Sequence, residues 1–240
     1  MFIKKILFLA FFLFSSCYVP NLQKSAVSVA LYSSAVLLTE EDVPFCGAVY
    51  IYPGYLLTSY HCVSGLDVKK IKVLFYNVKD TFKVVGGYAS QKLDLALLQI
   101  NTAPFLKTAN LAFKSPSVGE NVYIVGAPGG ETFFVGSGMI SKVNIPYVVL
   151  NSDTIKGNIC AVDGRAFFGN SGGGVFDAYG NLIGITIGTQ FFVERFETKD
   201  FFYPLWLYCQ GVEKIKIFLS VALKEALKNE RMEYEKKENQ

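Results

Sequence analysis

The chain is 240 residues long, 51% hydrophobic, 15% aromatic and 18% charged. That apolar share excludes an intrinsically disordered protein, and Lys+Arg 23 against Asp+Glu 20 is too even a balance for a chain that coats nucleic acid. A single histidine is present, so any imidazole chemistry must rest on it.

Met1 to Cys17 has the layout of a signal peptide: Lys4 and Lys5 form a basic start, Ile6 to Phe14 an apolar run, and Ser15-Ser16-Cys17 a small-residue end. The apolar run is too short to cross about 30 Å of hydrocarbon as a helix. Ser15-Ser16-Cys17 resembles a bacterial lipobox, in which the cysteine is lipidated and becomes the mature N-terminus. Phe14 departs from that motif, and ordinary cleavage nearby is the alternative. Loss of Lys4 and Lys5 leaves the exported chain close to neutral, so membrane attachment would rest on the lipid at Cys17.

From Ser25 to Gly188 short apolar runs alternate with Gly, Pro, Asn and Asp. They include Ala48–Tyr52, Tyr55–Thr58, Ile71–Tyr76, Phe82–Val85, Leu95–Ile100, Asn121–Val125, Thr132–Val135, Tyr147–Leu150 and Leu182–Ile187. Their Val, Ile, Phe, Tyr and Thr content and short spacing predict an all-β sandwich or barrel. Asp177-Ala178-Tyr179-Gly180-Asn181 reads as a hairpin turn. Ile215, Phe218, Leu219, Ala222, Ala226 and Leu227 recur at helical spacing and predict an amphipathic helix from Val212 to Asn229. Residues 230–240 read as a solvated, mixed-charge tail. No internal repeat or composition break marks a second module, so residues 25–229 read as one unit.

Three local sequences carry chemistry: Leu57-Thr58-Ser59-Tyr60-His61-Cys62, Lys92-Leu93-Asp94-Leu95-Ala96-Leu97-Leu98, and Phe168-Gly169-Asn170-Ser171-Gly172-Gly173-Gly174. A serine hydroxyl is a weak nucleophile and needs a base beside it. The glycines around Ser171 permit a tight turn that aims backbone N–H groups at one point. Asp94 sits in an apolar run, where a carboxylate is costly to bury without a partner. Asp67 and Asp80 stand among lysines in polar stretches and read as solvated loop charges.

Together, and in this order, the three motifs resemble the trypsin/chymotrypsin-type serine proteases. The resemblance implies two six-stranded antiparallel Greek-key β-barrels followed by the C-terminal helix. It implies Ser171 as nucleophile, His61 as general base, Asp94 as the residue that orients His61, and the N–H groups of Gly169 and Ser171 as the oxyanion hole. It also implies a Cys46–Cys62 disulfide pinning the His61 loop. Cys160 and Cys209 are left either as a second pair or as buried free thiols.

Asn170 replaces the Asp that precedes the nucleophile in digestive-type members, so no zymogen switch of that type is expected. Gly169-Asn170-Ser171-Gly172-Gly173 and Val125-Gly126-Ala127-Pro128-Gly129-Gly130 look closer to bacterial HtrA/Deg-like proteases, although no PDZ domain is expected within this length. By resemblance Arg165 lies at the base of the substrate pocket, where a guanidinium would favour an acidic side chain. A solvent-facing Arg165 is the alternative. Ile187-Gly188-Thr189 would form the pocket edge that pairs with substrate backbone.

No metal or other cofactor is expected: one His and scattered Cys make no zinc cluster, and Gly126–Gly130 lacks the Lys-Ser/Thr ending of a phosphate loop. The expected partner is a protein or peptide substrate, with no nucleic acid, and with membrane contact only through a lipid on Cys17. The expected location is the bacterial cell envelope, periplasm or exterior. The competing class is a non-enzymatic envelope lipoprotein that uses the same fold for binding.

Overall fold

The structure is a computed structural model that describes residues 22–101, 105–150, 152–164, 168–196 and 199–238. The signal segment with Cys17, and the candidate pocket residue Arg165, lie outside the described residues.

Strands β1 (Ser34–Leu38), β2 (Pro44–Tyr52), β3 (Tyr55–Thr58), β4 (Lys72–Phe75), β5 (Thr81–Ser90) and β6 (Leu95–Ile100) form the first barrel. They run in the order β1-β2-β3-β6-β5-β4, all antiparallel, and β4 closes on β1 through Ala35 opposite Phe75. Strands β7 (Asn121–Gly126), β8 (Phe134–Leu150), β9 (Asp153–Gly164), β10 (Gly174–Phe176), β11 (Leu182–Phe196) and β12 (Lys199–Gly211) form the second. Its order, β10-β11-β12-β9-β8-β7, repeats that of the first, and β7 closes on β10. Closure leaves neither barrel an open edge within its core section. This is the predicted all-β architecture of two six-stranded barrels.

Each barrel has its own apolar filling. Leu37, Tyr50, Leu56, Phe75 and Leu98 pack the first, with Tyr50 and Phe75 edge to face at 5.4 Å between ring centres. Val122, Ile124, Ile140, Val162 and Leu207 pack the second. A third cluster joins the barrels to the terminal helix α2 (Val212–Glu238): Ile215, Phe218, Leu219 and Ala222 meet Leu57, Leu95, Leu97, Phe176 and Ile185. These helix residues belong to the predicted stripe. The helix itself continues to Glu238, nine residues beyond the predicted end at Asn229, because nothing from Asn229 to Glu238 is a Gly or Pro.

Residues 22–33 differ from the sequence reading. Val27, Val29 and Leu31 alternate like a strand, yet Leu22–Ser33 is a helix, α1. The side chains that go inside are Ala26, Ala30 and Ser33, at helical spacing. Their small size brings the helix backbone close to the turn at Gly180, where a Cβ would meet Val29 Cβ at 2.9 Å and the Ala26 carbonyl at 3.0 Å. β8 also differs: it runs unbroken across the predicted gap between Val135 and Tyr147. Register shifts on either side of Ile145 absorb Pro146.

Cys46 and Cys62 are disulfide-bonded, with Cα atoms 6.2 Å apart. Cys160 and Cys209 stand directly opposite each other on β9 and β12 and are buried free thiols. A hydrogen bond between the two sulfurs lowers the Cys160 pKa. The same bond, with full burial, pushes the Cys209 pKa well up.

Candidate active site

His61 is the middle residue of a 3₁₀ turn, Tyr60–Cys62, that leaves β3. Asp94 follows a second 3₁₀ turn, Gln91–Leu93, and leads into β6. β3 and β6 are paired, Thr58 opposite Ala96, so the two turns emerge at one end of neighbouring strands. Asp94 has a left-handed backbone, φ 51° and ψ 46°, a conformation that a short acidic side chain tolerates better than most.

Both Asp94 carboxylate oxygens are used by His61. The His61 backbone N–H donates to Oδ1 at 2.9 Å, and Nδ1 lies 2.8 Å from Oδ2. The Asp94 side chain is 3% exposed and the His61 side chain 45%. A buried acid thus holds a ring whose other edge faces solvent. With Nδ1–H given to the carboxylate, Nε2 is left as the proton acceptor.

Ser171 sits on the loop between β9 and β10. Gly169 and Gly172 have φ of 101° and 76°, in the left-handed region that glycine enters without strain. At Gly172 any Cβ would also run into the Gly47 carbonyl and Thr58 Oγ1. The loop is tied on both sides. Gly129 N–H donates to the Phe168 carbonyl at 2.9 Å and Ala127 N–H to the Gly169 carbonyl at 3.1 Å, while Gly47 N–H donates to the Ser171 carbonyl at 2.8 Å. Thr58 Oγ1 donates to the Gly47 carbonyl at 2.8 Å, which fixes that glycine in turn.

Thr186 on β11 joins the loops. Its carbonyl accepts from Gly172 N–H at 2.8 Å and from Ser59 Oγ at 2.7 Å, and its N–H donates to the Gly173 carbonyl at 2.9 Å. Ser59, two residues before His61, was not legible as a site residue in the sequence. Its only signal there is a hydroxyl in an apolar strand end. Thr186 Oγ1 is buried and has no hydrogen-bond partner among the described residues.

His61, Asp94 and Ser171 line one cleft of about 410 Å³ together with Thr189. Leu150, Ile155 and Ile187 supply apolar lining. An aromatic wall completes it: Phe168 stacks on Phe191 at 5.6 Å between ring centres, and Phe191 meets Phe202 edge on at 6.1 Å. The β11–β12 ribbon that carries this wall continues outward with Phe192, Phe196, Phe201 and Tyr203 exposed. A more open depression of about 470 Å³, lined by Asp42, Lys72, Lys79 and Asp80 among others, contains none of the candidate site residues. Asp67 caps a surface turn by accepting from Lys69 N–H at 3.1 Å. Among the described residues no cluster of three or more His, Cys, Asp or Glu side chains could hold a metal ion.

Two closed barrels with a histidine–aspartate pair and a glycine-bound serine on one cleft define the architecture of a serine-peptidase-like fold. A family model for the trypsin-like peptidase domain matches residues 46–185, and the chain belongs to that family. Over 136 residues it is 35% identical to the serine protease Do-like HtrB of Bacillus subtilis, a match that covers 55% of this chain and 29% of that protein. It is 30% identical over 164 residues to a probable periplasmic serine endoprotease, DegP-like, of Rickettsia conorii, covering 66% and 31%. The matches thus span less than a third of these relatives.

Among solved structures, the HtrA-type protease AlgW with tripeptide superposes with a TM-score of 0.67 at 27% identity, over 83% of this chain and 63% of that one. The active form of the Rv3671c protease from M. tuberculosis shares the fold, with a TM-score of 0.66 at 18% identity over 84% and 86%.

Proposed function

We propose that this chain is a serine endopeptidase that cleaves peptide bonds through an acyl-enzyme on Ser171. The observation that carries the reading is the 2.8 Å contact between His61 Nδ1 and the buried Asp94 carboxylate, on the cleft that Ser171 lines. In this mechanism His61 Nε2 takes the Ser171 proton as Oγ attacks the scissile carbonyl, then gives it to the leaving amine. Asp94 fixes the tautomer and stabilises the imidazolium. His61 then deprotonates a water that attacks the ester, and the imidazolium gives that proton to Ser171 Oγ as the acyl C–O bond breaks.

Gly169 and Ser171 would supply the oxyanion N–H groups. Support comes from the Phe168 carbonyl, which is held by Gly129 N–H. In a trans peptide the C=O and N–H point opposite ways, so this bond turns the Gly169 N–H away from the Ala127–Gly130 turn. The substrate main chain would pair with β11 beyond Ile187, past the end of its pairing with β10, where Gly174 stands opposite Ile185. Thr189 lies on this edge.

The apolar and aromatic part of the described lining, with the Asp153 carboxylate on the same cleft, favours an uncharged apolar side chain in the pocket over the acidic one suggested by Arg165. An Arg165→Ala protein with its cleavage preference intact is the expected result. Export by the N-terminal segment, with lipid on Cys17, completes the reading. The periplasmic designation of the Rickettsia relative supports this location, and among the described residues no helix is long and apolar enough to cross a membrane.

The test is a fluorophosphonate probe with a protein substrate. Wild type labels at Ser171 and cleaves, and Ser171→Ala does neither. A folded wild-type protein that neither labels nor cleaves would overturn the proposal in favour of a binding module.

A further inference from the structure

Gln210, on β12 of the second barrel, has no exposed surface at all. Both ends of its side-chain amide are nonetheless hydrogen-bonded. Nε2 donates to the Lys156 carbonyl at 3.0 Å and to the Leu93 carbonyl at 2.8 Å, and Oε1 accepts from Asn158 N–H at 3.2 Å. These partners fix which end of the amide is which, since two carbonyls face one end and an N–H the other. Lys156 and Asn158 flank Gly157 on β9. A Cβ on Gly157 would occupy the place of the amide, meeting Gln210 Oε1 directly and Cδ and Nε2 at 2.5 Å. The missing side chain in β9 is therefore the seat of the Gln210 amide.

The third partner belongs to the other barrel. Leu93 is the residue before Asp94, and the peptide between them is held from both sides. Asp94 N–H donates to the Gln91 carbonyl at 3.1 Å, and the Leu93 carbonyl accepts from Gln210. The residue that follows this peptide has a left-handed backbone. Such a conformation is strained for a residue with a side chain and persists only where its surroundings over-determine it. Gln210 is the part of those surroundings that the second barrel contributes.

We infer that Gln210 is a positioning residue for Asp94: seated on Gly157, it fixes the Leu93–Asp94 peptide across the barrel interface and so sets the aim of the carboxylate at His61. The inference rests on the serine-peptidase reading of the site. It assigns the second barrel, the source of the serine, a hold on the acid as well.

The test compares wild type with Gln210→Met, which has a similar volume and no amide, and with Gly157→Ala, which displaces the amide but deletes no hydrogen-bonding group. Turnover is normalised to sites titrated by the serine probe, and circular dichroism confirms folding. The lone imidazole gives a second readout, the NMR resonance of the His61 Nδ1 proton bound to Asp94, which no other side chain can mimic. Both variants are expected to lose about 10- to 100-fold in kcat with KM unchanged, and to broaden or shift the Nδ1 resonance. If Gln210→Met does not fold, Gln210→Asn, whose amide is one methylene short, carries the same comparison. Folded variants with wild-type kcat and an unmoved Nδ1 resonance, whatever their melting temperature, would overturn the inference. If wild type itself neither labels nor cleaves, the peptidase reading fails, and the Nδ1 resonance alone still decides whether Gln210 aims Asp94.

Discussion

Ser59 Oγ donates to the carbonyl of Thr186 at 2.7 Å, across a gap of 127 residues in sequence. The same carbonyl accepts from Gly172, next to Ser171. One oxygen on β11 therefore references the His61 turn and the Ser171 loop to each other. Ser59→Ala leaves the Gly172 bond in place, so the expected cost is modest, about 1 kcal/mol. A urea melt checks the stability. The same variant should lower kcat more than it raises KM, since the groups it loosens are those proposed to carry the chemistry.

Asp94→Asn keeps the size of the side chain and replaces one acceptor oxygen with an N–H donor. Nδ1 of His61 then has no carboxylate to hold its proton in place, and the wrong tautomer is favoured. The expected outcome is a fall of about 10⁴-fold in kcat, as in related triads, with the fold intact by circular dichroism.

The Cys46–Cys62 bridge joins β2 to the His61 turn. A bridge closing a loop of this length contributes about 3 kcal/mol in the chain-entropy model. The double variant Cys46→Ala/Cys62→Ala should melt about 6–12 °C lower in a calorimetric scan. Reductant should shift wild type toward the same value.

Cys160 and Cys209 call for a different measurement. The Cys209 pKa lies above its unfolded value, so its contribution to stability is complete below the ordinary thiol range and is lost as pH rises beyond it. The Cys160 pKa lies below its unfolded value, and its contribution arrives only as pH rises. The two oppose each other, and burial keeps reagents out. At pH 8 a maleimide should leave both cysteines unlabelled in the native protein and label both after unfolding, as read by peptide mass.

The triad candidates were legible because each stands on a local signature: a lone His before a Cys, an Asp inside an apolar run, a Ser among glycines. The barrels were legible because short runs of β-branched and aromatic residues, and the turn residues between them, are local too. Helix α1 was not, since its alternating Val27, Val29 and Leu31 suggest a strand, while Ala26 and Val29 lie against the distant turn at Gly180. The outer half of the β11–β12 ribbon was not, since both its faces are exposed and no alternation survives. Gln210 and Gly157 carry no local pattern. Their meaning lies in a carbonyl contributed by the other barrel.

Thr186 contributes its main chain to both sides of the cleft while its own hydroxyl bonds to nothing described. An idle hydroxyl in a sealed interior is a weakness that valine, with the same outline, would remove. Thr186→Val should therefore raise the melting temperature, by an amount corresponding to about 1 kcal/mol, and leave turnover alone. At this hub the backbone is what matters, and the side chain is open to improvement.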